Sequence, residues 1–197
     1  MGFVISMGML ALVFGGVGTY LYSVVVGAKS TWNQRVATPA RAHGVRVVPG
    51  AHGFEQLFVD RPDGSATAFV NNGVASEPTI APHLRRYNTN GWLTIVHKRY
   101  VTGEGPGFAV VSGQARGSFP LGDPAFDATH HVGAFAGAER LAQVWSPRAR
   151  EIMQRSGARF EVVSGGQAVT IVSQGVVDDA RAVLDMLELA HELARPV

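Results

Sequence analysis

Asp123 and Asp127 are the carboxylate pair best placed to do chemistry. They lie four residues apart where a loop meets an expected strand, Phe126 to Phe135. There they could hold a cation or divide acid and base roles. Calcium and magnesium sites draw more oxygen ligands than this from one loop. A structural role is therefore expected: Asp123 before Pro124 forms a turn, and Asp127 accepts backbone N–H groups. His130 and His131 come next. Adjacent strand residues point to opposite faces, so these imidazoles do not converge on one metal. His43, His52, His83, His97 and His191 are scattered, and the chain has no cysteine. No zinc-ligand spacing and no His-Glu-x-x-His string results. Gly103, Gly105 and Gly107 have the composition of a phosphate loop, but neither Lys-Ser nor Lys-Thr follows them. No serine sits in a Gly-x-Ser-x-Gly frame. No catalytic, cofactor-binding or metal-ligating residue is assigned.

A surface offers more than any single residue. Asn90-Gly91 is a two-residue turn signal between His83 to Asn88 and Trp92 to Arg99, which predicts a hairpin. One of its faces carries Arg85, Tyr87, Trp92 and Lys98. Basic groups interleaved with aromatics suit an anionic ligand, a membrane surface or a partner protein. Nucleic acid is not expected, because the formal net charge is only +2.

These residues must be positioned by the rest of the chain, and its first 28 residues carry no charged side chain. A helix over them is about 40 Å long at 1.5 Å per residue, and a bilayer core needs about 20 apolar residues. A membrane span is expected over 1–28. A secretory signal is the rival reading, but the basic n-region of one is missing. Lys29, Arg35, Arg41 and Arg46 follow the span and no basic residue precedes it. The N-terminus is thus expected outside the inner membrane and the C-terminal domain in the cytoplasm. Trp32 is expected at the headgroup level. Ala11, Gly15, Thr19, Ser23 and Gly27 recur every fourth residue, a small-residue strip suited to packing a second membrane helix.

Residues 29–50 are expected to form a basic juxtamembrane helix and linker, and 51–197 one cytoplasmic domain. Charged residues make up 16% and hydrophobic residues 46%, a globular balance. Glu55 to Asp60 and Ser65 to Asn71 alternate in polarity around Arg61-Pro62-Asp63-Gly64, which predicts a hairpin. Arg159 to Val163 and Ala168 to Ser173 predict another around Gly165-Gly166. Ser146 and Pro147 open a helix that Gly157 ends. A last helix over Asp178 to Ala194 has one apolar face, with Val183, Leu184, Leu187, Ala190 and Leu193. The fold class read from this order is α+β: a single N-terminal transmembrane helix, then an antiparallel-sheet domain with helices packed on one face.

The string Leu121-Gly122-Asp123-Pro124-Ala125-Phe126-Asp127, followed by Ser146-Pro147-Arg148-Ala149-Arg150, resembles a bacterial membrane-anchored domain family of unknown function. Members share an N-terminal anchor, a basic helix, a sheet-rich middle and a C-terminal strand–helix–hairpin–helix unit. The resemblance implies a fold and a membrane address. It implies no activity and no role for any residue.

The function expected from these features is non-enzymatic. The chain would be an accessory or assembly subunit of a larger membrane complex, such as a respiratory or photosynthetic electron-transfer complex. Its partners would be other membrane subunits and lipid, with no cofactor. The alternatives are a binding module for an anionic lipid, nucleotide or protein ligand, and a membrane-tethered hydrolase without a familiar motif.

Overall fold

A computed structural model describes residues 19–20, 22–71, 91–101, 103–112, 119–156 and 160–196. Eight strands form one antiparallel sheet. They are β1 (Arg46–Pro49), β2 (Glu55–Arg61), β3 (Gly64–Asn71), β4 (Leu93–Arg99), β5 (Gly107–Ser112), β6 (His130–Ala136), β7 (Glu161–Gly165) and β8 (Ala168–Gln174). The spatial order is β1-β2-β3-β4-β8-β7-β5-β6. The β2–β3 and β7–β8 hairpins follow from local turn chemistry. Gly64 at φ +103° and Gly166 at φ +88° occupy conformations that a side chain resists. The middle of the sheet is built from distant segments, since β4 pairs with β3 on one side and β8 on the other.

Alternation along each strand assigns two faces. Leu57, Ala68, Val96, Val162 and Ile171 join the main core with the helices. α5 (Ala180–Leu193) lies across β3, β4 and β8 and packs against α4 (Pro147–Arg155). Asp179 caps α5 by accepting from the Arg181 N–H, and Ser146 caps α4 by accepting from the Ala149 N–H. Two short helices, α2 (Pro124–Asp127) and α3 (Leu141–Val144), contribute Phe126, Leu141 and Val144 to the same core. The opposite face carries Gln56, Phe58, Thr67, Phe69, Leu93, Ile95, His97, Thr170 and Val172. Leu93, Ile95 and Val172 form a separate small buried cluster there, with Phe69 against it.

The expected fold class is corrected by this structure. It is an eight-stranded antiparallel sheet with helices, and among the described residues no helix is long and apolar enough to cross a membrane. Residues 1–18 and 21 of the expected span lie outside the described residues. The helical stretch 22–32 runs into the domain through a π-helical turn, Asn33–Ala37, and ends in α1 (Thr38–Ala42). Trp32 is fully buried in the core instead of facing lipid headgroups, and its indole N–H donates to the Glu55 carbonyl at 2.6 Å. Asn33 reinforces the junction, donating to the Gly53 carbonyl at 3.2 Å and accepting from the Glu55 N–H at 3.1 Å. Val36, Ala37, Ala40 and Val45 share the main core, so much of the expected 29–50 linker belongs to the domain.

Two further expectations change. Residues 83–88, the first arm of the expected second hairpin, lie outside the described residues, and β4 makes its pairs with β3 and β8. The strand expected from Phe126 starts at His130, because Asp123 and Pro124 nucleate a helical turn first.

Candidate functional site

The Gly122-Asp123-Pro124-Ala125-Phe126-Asp127 string folds as a self-contained turn. Gly122 takes φ +77°. The Asp123 carboxylate accepts from the N–H groups of Ala125 and Phe126, both at 3.1 Å. Asp127 reaches back and accepts from the N–H groups of Leu121 at 3.0 Å and Gly122 at 3.1 Å. Arg150 closes the turn, 3.5 Å from Asp123 and donating to the Leu121 carbonyl at 3.2 Å. Phe126 is fully buried, stacked on His130 at 4.6 Å and 5.5 Å from the Trp145 ring. Burial holds the His130 pKa below the ordinary imidazole value. Both carboxylates thus spend their oxygens on backbone and Arg150.

Lys98 sits on the helix-covered face and is 1% exposed. Its ammonium meets the Asp63 carboxylate at 3.1 Å and donates to the carbonyls of Asp63 and Gly64 at 3.1 and 3.2 Å. An ammonium has three donors, and these three acceptors use them. Lys98 therefore holds the β2–β3 turn and presents no charge to a surface ligand. Asp63, against the effect of its partial burial, is kept below the usual carboxylate range by the Lys98 hydrogen bond. His191 lies beneath the same turn, fully buried. Its Nε2–H donates to the Val59 carbonyl at 3.0 Å, and its Nδ1 stands 3.8 Å from Asp63. Burial, then the Lys98 charge, lowers its pKa to about 4.

The remaining residues singled out from sequence do not gather into one site. Trp92 packs on Phe54 with ring centroids 4.9 Å apart. Arg85 and Tyr87 lie outside the described residues, as do Ala11 and Gly15 of the small-residue strip. Thr19, Ser23 and Gly27 are helical and exposed, and the Ser23 hydroxyl donates to the Tyr20 carbonyl at 2.7 Å. No group of three His, Asp or Glu residues among the described residues could hold a metal.

The concave feature of interest lies on the other face of the sheet. A cavity of about 730 Å³ sits over β2, β3 and β4. Such a volume falls within the range of roughly 300–1,000 Å³ that small-molecule sites occupy. Its floor follows from strand alternation. β3 contributes Ser65, Thr67, Phe69 and Asn71, β2 contributes Gln56 and Phe58, and β4 contributes His97 and Arg99. Phe58, Thr67 and His97 lie in one cross-strand row, each opposite the next. Phe69 is on the diagonal from Phe58, a spacing of roughly 7–8 Å in a paired sheet. The Pro62-Asp63-Gly64 turn, Tyr100 and Val101 close one end. His97 bonds the Thr170 hydroxyl at 3.2 Å. The Tyr100 hydroxyl is 3.0 Å from that of Ser164, and burial pushes its pKa up to about 12. The Arg46 guanidinium lies 4.3 Å from the Phe58 ring centroid, on the strand beside it.

Sequence reasoning passed over this floor. Its signal was present in Gln56-x-Phe58 and Ser65-x-Thr67-x-Phe69-x-Asn71, where aromatic and hydrogen-bonding side chains share one phase of the alternation. Taken alone, that phase predicts only a hairpin. No protein-family model matches the chain, and comparison with curated proteins and with solved structures finds no match. Nothing in those comparisons ties the Gly-Asp-Pro-x-Phe-Asp turn to a family.

Proposed function

We propose that the chain is a non-catalytic binding module whose ligand site is the cavity over β2, β3 and β4. The observation that carries this reading is the composition of the cavity floor. Two half-buried phenylalanines lie among Gln56, Thr67, Asn71 and His97, an apolar bed with a few placed polar groups. The main core is on the other face, and on this one Phe69 packs against the small Leu93, Ile95 and Val172 cluster. Acyl-transfer chemistry finds little support in the same side chains. The Ser65 hydroxyl donates to the Asp60 carboxylate, and the His97 ring bonds the Thr170 hydroxyl.

The test is a thermal-shift screen of small aromatic fragments against the full chain and Thr67→Trp. A ligand that binds only the folded state raises the melting temperature. Fragments that stabilise the wild type and leave Thr67→Trp unmoved support the reading. Equal shifts in both proteins would refute it.

A second reading has its own observation. Tyr20 and Tyr22 are 68% and 73% exposed on the uncharged N-terminal helical stretch, with Val24 and Val26 also exposed. Exposed apolar clusters mark interaction surfaces. We infer that this stretch engages a partner protein, which makes the chain an accessory subunit of an assembly. Co-purification of a stoichiometric partner with the full chain, lost when residues 1–27 are removed, supports it. A partner retained by the shortened chain would place the contact elsewhere.

A further inference from the structure

We propose that the cavity over β2, β3 and β4 takes a neutral, planar aromatic lactam, with its rings against Phe58 and Phe69 and its N–H and C=O edge on the Gln56 amide. This inference rests on the reading of the cavity as a ligand site and specifies what enters it.

The ring contacts follow from the sheet register. Phe58 stands opposite Thr67. Carried two residues along both strands, the same antiparallel register sets Gln56 beside Phe69, and alternation keeps all four on the cavity face. The floor is thus a square, with phenyl groups on one diagonal and the polar groups of Gln56 and Thr67 on the other. Diagonal positions in a paired sheet are roughly 7–8 Å apart. A flat ring system laid over the square reaches both phenyl groups, in offset or edge-to-face contact at centroid distances of roughly 4.5–7 Å. Its rim then meets the Gln56 amide. The Arg46 guanidinium lies 4.3 Å from the Phe58 ring centroid and steadies that ring from the β1 side.

The neutrality of the ligand comes from the partners of the wall's polar groups. Asp63 and Arg99 are the charged residues among the described ones that line the cavity. Asp63 is paired with the Lys98 ammonium at 3.1 Å, and Arg99 has an interaction of its own within the protein. An ionised ligand would enter without a counter-charge, and a charge taken out of water unpaired is costly. The uncharged groups divide in the same way. Ser65 donates to Asp60, His97 bonds Thr170 at 3.2 Å, Tyr100 bonds Ser164 at 3.0 Å, and Asn71 also has a partner. Gln56 and Thr67, both half-buried, are the lining polar side chains without a protein hydrogen bond among the described residues. Gln56 is also held in place. A Cβ at Gly50 would lie 2.7 Å from the Gln56 Cγ, so the bare glycine leaves the room in which this stem packs. A primary amide carries a donor and an acceptor side by side in one plane. A lactam presents the complementary C=O and N–H, so two hydrogen bonds close on one edge. An anion offers acceptors alone, and a hydrocarbon ring offers neither.

Three two-ring probes separate the parts of the proposal. Carbostyril is a neutral aromatic lactam. Its N-methyl derivative keeps the rings and the carbonyl but has no N–H. The third probe, 2-naphthoate, has the rings and a negative charge. Each is titrated against the full chain by ligand-observed NMR, with Thr67→Trp defining the signal that does not come from the cavity. Circular dichroism and melting curves confirm that each variant is folded. The wild type is expected to bind carbostyril about fivefold or more tightly than either of the other two, as gain of a hydrogen bond predicts. Gln56→Met should remove the preference over the N-methyl derivative and leave the affinity of that derivative unchanged. The two lactams make the same comparison on the unaltered protein. If Thr67→Trp binds the probes as the wild type does, the cavity reading itself is wrong. If binding is lost in Thr67→Trp but the two lactams bind the wild type equally, the cavity stands and the Gln56 contact is overturned. Tighter binding of 2-naphthoate than of carbostyril, or a wild type that binds none of the three, overturns the proposed class.

Discussion

The turn at Gly122 to Asp127 and the cavity floor over β2, β3 and β4 use polar side chains in opposite ways. In the turn, Asp123 and Asp127 accept four backbone hydrogen bonds within seven residues of sequence, and Arg150 pairs with Asp123. On the floor, Gln56, Thr67 and Asn71 stand in a cavity on the face away from the main core. The turn carries the motif that stands out in the sequence, and the floor carries none. A compact string of Gly, Asp and Pro reflects the demands of a tight backbone, since each residue type answers a local steric or donor requirement. A ligand site drawn from three strands leaves its residues spread from Gln56 to Arg99.

The contrast is sharpest in stability. Phe126→Ala should cost about 3–5 kcal/mol, because a fully buried ring between His130 and Trp145 leaves a cavity. Urea denaturation measures it, and aromatic-fragment binding should persist wherever the variant stays folded. A smaller cost with lost binding would move the site to the turn.

Acid comes next. His191 has a folded pKa of about 4 against an ordinary value of 6.5, so the unfolded chain binds more protons between those values. Its contribution is full above about pH 6.5 and is lost as the pH falls toward 4. The stability difference across that window reaches up to about 3 kcal/mol. Urea midpoints at pH 7 and pH 4.5 should differ less in His191→Gln than in the wild type. Equal pH dependence in both proteins would show that His191 is not the titrating group.

Asp127→Asn comes third, at about 1–3 kcal/mol, since an amide keeps one acceptor oxygen for the two N–H groups of Leu121 and Gly122. Thr67→Trp is the smallest in stability, within about 1 kcal/mol, because the site is a half-buried strand position that accepts aromatics. It should be the largest in binding. Thermal melts paired with aromatic-fragment titrations reveal whether the order of effects on stability is reversed in binding.

How far the sequence was legible depends on the range of the interactions. The β2–β3 and β7–β8 hairpins rest on Gly64 and Gly166 within a few residues of the paired strands, and both were readable. The last helix was readable from the 3.6-residue period of its apolar face and from Asp179 at its start. The place of Trp32 is not legible because an amphipathic ring after an apolar run has the same local signature beside lipid or beside a protein core. Only the distant Glu55 carbonyl distinguishes the two. Lys98 has the sequence signature of a surface charge because its three acceptors lie more than 30 residues away, across the sheet. The partner of β4 is hidden for a related reason: the Asn90-Gly91 signal is local, whereas the pairs with β8 join residues 69 to 79 apart. The floor of the cavity was hidden in the alternation that revealed its strands.

Amide chemical-shift mapping of the full chain with a small aromatic fragment taken from the thermal-shift screen puts the two regions in direct competition. Shifts should concentrate on Phe58, Thr67, Phe69, His97 and Arg99, and they should leave Leu121 to Asp127 in place. Shifts centred on Leu121 to Asp127, or on the exposed stretch around Tyr22, with the β2–β4 residues unmoved, would contradict the assignment of the site.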